Sequence, residues 1–267
     1  MTASITVEGK GLVRTIRLGR PPINTLDAEA LEELAAAADA VSADAECRVV
    51  VLASALDGSF CSGGDLKFWR NFPRERAREV SLAGRNAFAR IARLQKLTLA
   101  AIAGPVIGDG IALALSCDLR FASPRAMFRL PEAAYGFIPG WGTLHRLARA
   151  IGRPRTLDMV LTGRTVDAGT ALAWGLVNRL QPAEAFAEGL EAFVDALLSM
   201  SPAALSLAKA ALAEGPGKPD GTPERETAAF LQAWGGEDWG EGIAALLTKR
   251  PPRFAAPRAF ASERGSS

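Results

Sequence analysis

Leu97-Thr98-Leu99-Ala100-Ala101-Ile102-Ala103-Gly104-Pro105-Val106-Ile107-Gly108-Asp109-Gly110-Ile111-Ala112-Leu113-Ala114-Leu115-Ser116-Cys117-Asp118-Leu119 is the most apolar stretch of the chain, and the way it is interrupted decides the fold. Its length would suffice to span a bilayer. Gly108, Asp109 and Gly110 break it in the middle, however, and would put a carboxylate at the depth where burial costs most. The stretch therefore reads as a buried strand over residues 97–103, a glycine turn and a buried helix opening near Gly110, with no membrane as partner. Upstream, Arg48-Val49-Val50-Val51-Leu52-Ala53 is a β-branched run expected to form a second buried strand. Before it, Asp27 can cap a helix in which Leu31, Leu34, Ala38 and Val41 recur at helical spacing. Residues 4–7 and 12–18, separated by Gly9-Lys10-Gly11, predict an N-terminal hairpin.

Helical character returns over residues 73–94. Beyond the apolar stretch, short strands at 119–121 and 126–128 give way to helices at 141–150, 154–162, 167–174, 182–200, 202–213 and 223–234, several of them opening at Pro or Asp. Strands that alternate with helices predict an α/β architecture. The expected division is an α/β core over residues 1–181 and a helical region over 182–267, with residues 215–222 as the only exposed linker.

Composition narrows the function. A chain of 267 residues with 49% hydrophobic and 22% charged residues can bury a sizeable core, which excludes a disordered or fibrous protein. Thirty-one Lys plus Arg against 29 Asp plus Glu leave a net charge of +2, without a basic stripe interleaved with aromatics, so nucleic acid is not an expected partner. Cys47, Cys61 and Cys117 are odd in number and form no CxxC pair, which fits neither a disulfide framework nor a thiolate zinc site and points to a reducing cytoplasm. The N-terminus alternates like a strand and lacks the features of a secretory signal, so export is not expected. The single histidine, His145, is expected to be a partly exposed helix residue; without a Gly-x-Ser-x-Gly it supports no Ser-His-Asp hydrolase, and alone it supports no His-rich metal centre. No P-loop occurs. Gly108-Asp109-Gly110 imitates a dinucleotide fingerprint, but Leu113 holds the third glycine position and a strand-helix-strand segment already precedes it, so nicotinamide binding is disfavoured.

Two turns remain, each after an apolar strand: Gly58-Ser59-Phe60-Cys61-Ser62-Gly63-Gly64-Asp65-Leu66 and Gly104-Pro105-Val106-Ile107-Gly108-Asp109-Gly110. Both end in small residues that let main-chain N–H groups approach a ligand. The second also opens a helix, whose unpaired amides favour negative charge. Two converging donors would form an oxyanion hole suited to the enolate of a thioester. Two tight turns with no ligand are the alternative.

These segments, taken with the rest of the chain, resemble the crotonase superfamily of enoyl-CoA hydratases and isomerases. The likeness runs through Arg20-Pro21-Pro22-Ile23-Asn24-Thr25-Leu26, Phe60-Cys61-Ser62-Gly63-Gly64-Asp65-Leu66, the Gly104-Pro105 and Cys117-Asp118-Leu119 segments, and Phe128-Arg129-Leu130-Pro131-Glu132 with Gly136-Phe137-Ile138-Pro139-Gly140. It continues in Leu161-Thr162-Gly163-Arg164, Ala173-Trp174-Gly175-Leu176-Val177 and Lys249-Arg250-Pro251-Pro252. The resemblance implies a spiral of ββα units with a C-terminal helical region that mediates trimers, often paired into hexamers. It also implies a coenzyme A thioester as ligand, with no separate cofactor and no metal. By the same likeness the amides of Gly64 and Asp109 would be the oxyanion donors. Ile23 and the backbone around Ser62, Gly63, Gly64 and Leu66 would hold the adenine and pantetheine, with Lys67 and Lys249 near the phosphates.

Hydratases of this family use two glutamates. Glu132 matches one, whereas Ala112 stands at the other position and can neither accept nor deliver a proton. A single carboxylate suffices to move a double bond, which favours isomerisation with Glu132 as acid/base. A slow hydratase, a lyase or hydrolase of the same type, and a CoA-ester-binding protein without catalysis are the alternatives, and the acyl group is open. Glu132 could instead be an ordinary first-turn residue. Asp109 stands where the family usually has glycine. It is expected to cap the following helix with its side chain turned away, or alternatively to enter the pocket as a replacement acid/base. Phe68, Trp69, Phe72, Tyr135 and Trp141 are aromatics near the motifs that could line an acyl pocket or serve as packing.

Overall fold

The β-branched runs around Val50 and Leu99 become neighbouring strands, paired in parallel with Val49 opposite Leu97 and Val51 opposite Leu99. The computed structural model describes residues 4–212, 223–234 and 236–254. In chain order the first elements are β1 (Ile5–Glu8), β2 (Val13–Leu18), α1 (Ala28–Ala43), β3 (Val49–Ser54), α2 (Leu66–Trp69), α3 (Ala77–Ala92) and β4 (Leu97–Ile102). The middle of the chain supplies β5 (Val106–Ile107), α4 (Gly110–Ala114), β6 (Leu119–Ala122), β7 (Met127–Arg129), α5 (Thr143–Ile151), α6 (Arg153–Thr162), β8 (Thr165–Asp167), α7 (Ala168–Trp174) and β9 (Arg179–Leu180). Helices α8 (Phe186–Leu198), α9 (Pro202–Leu212), α10 (Pro223–Ala233) and α11 (Glu237–Leu247) follow. The expected linker at 215–222 lies outside the described residues.

One sheet has the order β1-β2-β3-β4-β6-β9, antiparallel between β1 and β2 and parallel thereafter. The second, β5-β7-β8, carries the loops of the candidate site. Both faces of the large sheet are covered, as an unbroken apolar β-branched strand requires. Val50 and Leu52 join α1 and α3 through Leu34, Ala38, Phe88 and Ile91, while Val49 and Val51 point the other way toward Val194, Phe193 and Leu190 of α8. Each large apolar side chain buried in this way contributes roughly 1.5–3 kcal/mol.

The hairpin, the α1 cap and the breaking of the apolar stretch agree with expectation. Asp27 accepts a hydrogen bond from the Ala30 amide at 2.9 Å, and residues 97–119 divide into β4, β5, α4 and the start of β6. Strands β5, β8 and β9 and helices α2 and α11 add to the expected elements. The first four have two to four residues each, too short for either periodicity to register.

Candidate active site

Three segments of main chain lie in register and carry the candidate groups. Cys61 forms a parallel bridge with Val106, and Val106 pairs in parallel with Phe128. The ladder is closed by Phe60 N–H to the Pro105 carbonyl, Ile107 N–H to the Cys61 carbonyl and Gly108 N–H to the Arg129 carbonyl, each at 2.9 Å. Gly64, Asp109 and Glu132 each lie three or four residues past this ladder, so all three emerge from the same end of it.

The direction of the Gly64 amide follows from a second bridge. Leu26 pairs with Gly64, its N–H donating to the Gly63 carbonyl at 2.8 Å and its carbonyl accepting from the Asp65 N–H at 2.9 Å. Since Leu26 bonds the two flanking residues, the N–H of Gly64 itself points away from it. Asp109 stands at the start of α4, before the first helical hydrogen bonds, Ile111 N–H to Gly108 and Leu113 N–H to Asp109. Among the described residues neither amide donates to a main-chain carbonyl. The two turns also touch: with φ at +71°, a Cβ on Gly63 would fall 2.8 Å from the Asp109 nitrogen.

Glu132 opens a short 3-10 turn after Pro131. It is thus a first-turn residue, and its carboxyl is also withdrawn from solvent. The residue is 5% exposed, and Oε2 is buried with no hydrogen-bond partner. A Cβ on Gly108 would meet Oε1 at 2.5 Å, which places the carboxyl against the main chain beside Asp109. Burial raises its pKa to about 7, and the negative charge of Asp109 adds to the rise. A buried carboxyl with one oxygen left unpartnered, poised near neutrality, is what a proton-transfer step needs.

The expectation that Asp109 caps α4 is corrected by the structure. Its backbone is already helical (φ −64°, ψ −8°), and its side chain makes no cap hydrogen bond. One carboxylate oxygen, Oδ1, instead accepts from the Thr143 hydroxyl at 2.5 Å, the Trp141 amide at 3.1 Å and the Gly140 amide at 3.2 Å, tying α4 to the loop before α5. Burial raises its pKa against the opposing pull of these hydrogen bonds. Ala112 lies fully buried in α4, so no carboxylate from that helix accompanies Glu132.

Around Gly64, Asp65 accepts from the Lys67 and Phe68 amides to cap α2 and pairs with Arg20 at 2.8 Å; Arg20 also pairs with Asp27. The Ser59 hydroxyl donates to the Ile23 carbonyl at 3.1 Å. Ile23, Ser62, Gly63, Gly64, Leu66 and Lys67 are therefore brought together, with Ile23 43% and Leu66 49% exposed on an open rim. Lys249 is not brought to them within one chain. The segment after it is held where Arg48 donates to the Phe254 carbonyl, at the N-terminal end of β3, whereas Gly64 follows the C-terminal end. A cavity of about 530 Å³ also opens at that far end, between Val49, Leu97, Leu197 and Leu205, and none of its walls belongs to the candidate site. Of the aromatics, Trp69 and Trp141 pack on each other close to Gly64, while Tyr135 is 65% exposed. His145 lies on the exposed side of α5. Thr143 carried no signal in the sequence; Gly84, a lone glycine within a helical pattern, did.

The fold and this site define an α/β protein of the crotonase type. The chain belongs to the enoyl-CoA hydratase/isomerase family, whose model matches residues 8–257. It is 32% identical over 183 residues to the short-chain-enoyl-CoA hydratase of Clostridium acetobutylicum, covering 68% of this chain and 70% of that protein. Against the enoyl-CoA isomerase/hydratase claC of Penicillium crustosum it is 36% identical over 178 residues, 65% of this chain but 20% of that larger protein. The crystal structure of an enoyl-CoA hydratase from Bacillus anthracis superposes with a TM-score of 0.88 at 32% identity, over 95% of this chain and 100% of that one.

Proposed function

We propose that this protein isomerises the double bond of an enoyl-CoA thioester. The thioester carbonyl accepts hydrogen bonds from the amides of Gly64 and Asp109. Glu132 removes a proton from C2 of a 3-enoyl group; the electron pair of the broken C–H bond delocalises onto the carbonyl oxygen as an enolate. The enolate collapses to the 2-enoyl product as Glu132 returns the proton to C4. The thioester supplies the acidity of the C2 proton, so the reaction calls on no metal or redox cofactor. The observation that carries this reading is the buried carboxyl of Glu132, its Oε2 without a hydrogen-bond partner, lodged against Gly108 in the turn that bears the Asp109 amide.

Slow hydration is the second reading, favoured by the relatives named as hydratases. Offering the purified protein 3-enoyl-CoA and 2-enoyl-CoA separately tests both. Isomerisation lost in Glu132→Gln supports the proposal; fast water addition that survives Glu132→Gln overturns it. We also propose assembly into trimers or hexamers. Phe230, Leu231, Leu246 and Leu247 on the last two helices are more than half exposed, which is unusual for a surface that stays in water.

A further inference from the structure

Trp141 occupies a slot that only missing side chains could create. Its ring lies on α3, where a Cβ at Gly84 would fall 2.1 Å from Cδ2, and its far edge reaches Gly64, where a Cβ would fall 3.2 Å from Cη2. The indole N–H donates to the Val80 carbonyl at 2.9 Å. Phe88 and Trp69 flank the ring edge-on, with centroids 5.7 and 6.1 Å away, and the residue is 3% exposed. On the other side its amide is held by the Asp109 carboxylate, which also holds Gly140 and Thr143. The ring is therefore fixed from its backbone, its nitrogen and the aromatic side chains beside it.

This arrangement bears on the acyl group, and it rests on the proposal that the Gly64 amide binds the thioester carbonyl. An oxygen within hydrogen-bond distance of that amide, about 2.9 Å, leaves the first acyl carbons close to the ring edge. An acyl chain continuing toward α3 would need the volume that the indole already fills, and a packed core yields such volume only at a cost. We infer that Trp141 is the specificity-determining wall of the acyl site, that Asp109 is the positioning residue that sets it, and that the substrates are short-chain enoyl-CoA thioesters.

The test uses saturated thioesters, so that binding is read without chemistry. Dissociation constants for butanoyl-CoA and octanoyl-CoA are measured by calorimetry on the wild type, Trp141→Ala, Trp141→Phe, Asp109→Ala and Asp109→Asn. The wild type is expected to bind butanoyl-CoA more tightly. Trp141→Ala should shift the ratio toward octanoyl-CoA by about tenfold or more, on the scale of a hydrophobic pocket that gains methylene-sized room. Trp141→Phe, the variant of choice if alanine fails to fold, should shift it in the same direction by less. Asp109→Ala should also relax the ratio, and Asp109→Asn, which keeps an acceptor oxygen for the three donors, should restore it. In turnover with the matching 3-enoyl thioesters, the shift should fall on KM for the longer chain. Tight octanoyl-CoA binding by the wild type, or an unchanged ratio in a folded Trp141 variant, overturns the wall and leaves the isomerase proposal standing. A wild type that binds neither thioester overturns the acyl-CoA reading itself.

Discussion

The carboxyl of Glu132 lies so close to the α-carbon of Gly108 that a methyl group there would stand 2.5 Å from Oε1. The glycine also has φ at +57°, a conformation that L side chains rarely adopt. Gly108→Ala should therefore displace the carboxyl and strain the turn together. We expect turnover to fall by at least about 10²-fold and stability by about 1 kcal/mol or more, read from kcat and from urea unfolding. Undiminished turnover would mean that the Glu132 carboxyl does not act from this position.

Glu132 itself ties activity to pH. A base with its pKa raised to about 7 by burial works only when ionised, so kcat/KM should climb through that pH and level off above it. Glu132→Gln should cost about 10²- to 10⁴-fold in rate. A profile that is flat between pH 6 and pH 8 would remove Glu132 from the proton transfer.

The same shift predicts a stability difference of opposite sense. Between the ordinary glutamate value of 4.5 and about 7, the folded chain keeps a proton that the unfolded chain has lost. Stability therefore falls as pH rises across that window, and the full cost, of order 3 kcal/mol, is present above it. Glu132→Gln should match the wild type near pH 4 and exceed it by up to that amount at pH 8 in chemical denaturation. Equal stabilities at pH 8 would refute the burial argument.

Gly63 guards the second amide. A Cβ there would sit 2.8 Å from the Asp109 nitrogen and 3.2 Å from the Ile107 carbonyl oxygen, at a φ of +71°. Gly63→Ala should push the two turns apart and cover the donor, with a loss of about 10²- to 10³-fold in kcat, the scale of removing one oxyanion donor. Normal turnover in the folded variant would show that the Asp109 amide is not needed.

The three thiols should be inert in the native protein. Burial pushes Cys61 and Cys117 up to about 12 and raises Cys47 as well. Iodoacetamide at pH 8 should label none of them until denaturant is added, as followed by intact mass. Rapid native labelling of Cys61 would contradict the packing of the first turn.

Much of this arrangement was legible beforehand because each signal was local. Asp27 caps α1 through its own side chain, the Val49–Leu52 run has no other stable fate than a strand covered on both faces, and Glu132 stood out as the carboxylate after Pro131. The role of Asp109 is not local: capping needs an extended backbone at the cap, and only tertiary structure reveals that residue 109 is already helical, with acceptors aimed at a loop more than thirty residues away. Thr143 was invisible for the same reason. Lys249 carries no local sign of where its segment docks, and within one chain that segment docks at the far end of β3.

The ladder through Cys61, Val106 and Phe128 is joined by amides and carbonyls alone. Side chains at the tips of its three rungs are thus free to be exchanged without dismantling the scaffold that aims them. Glu132 stands at one such tip, so a different group placed there would inherit the same aim while the main chain keeps the two amides where they are.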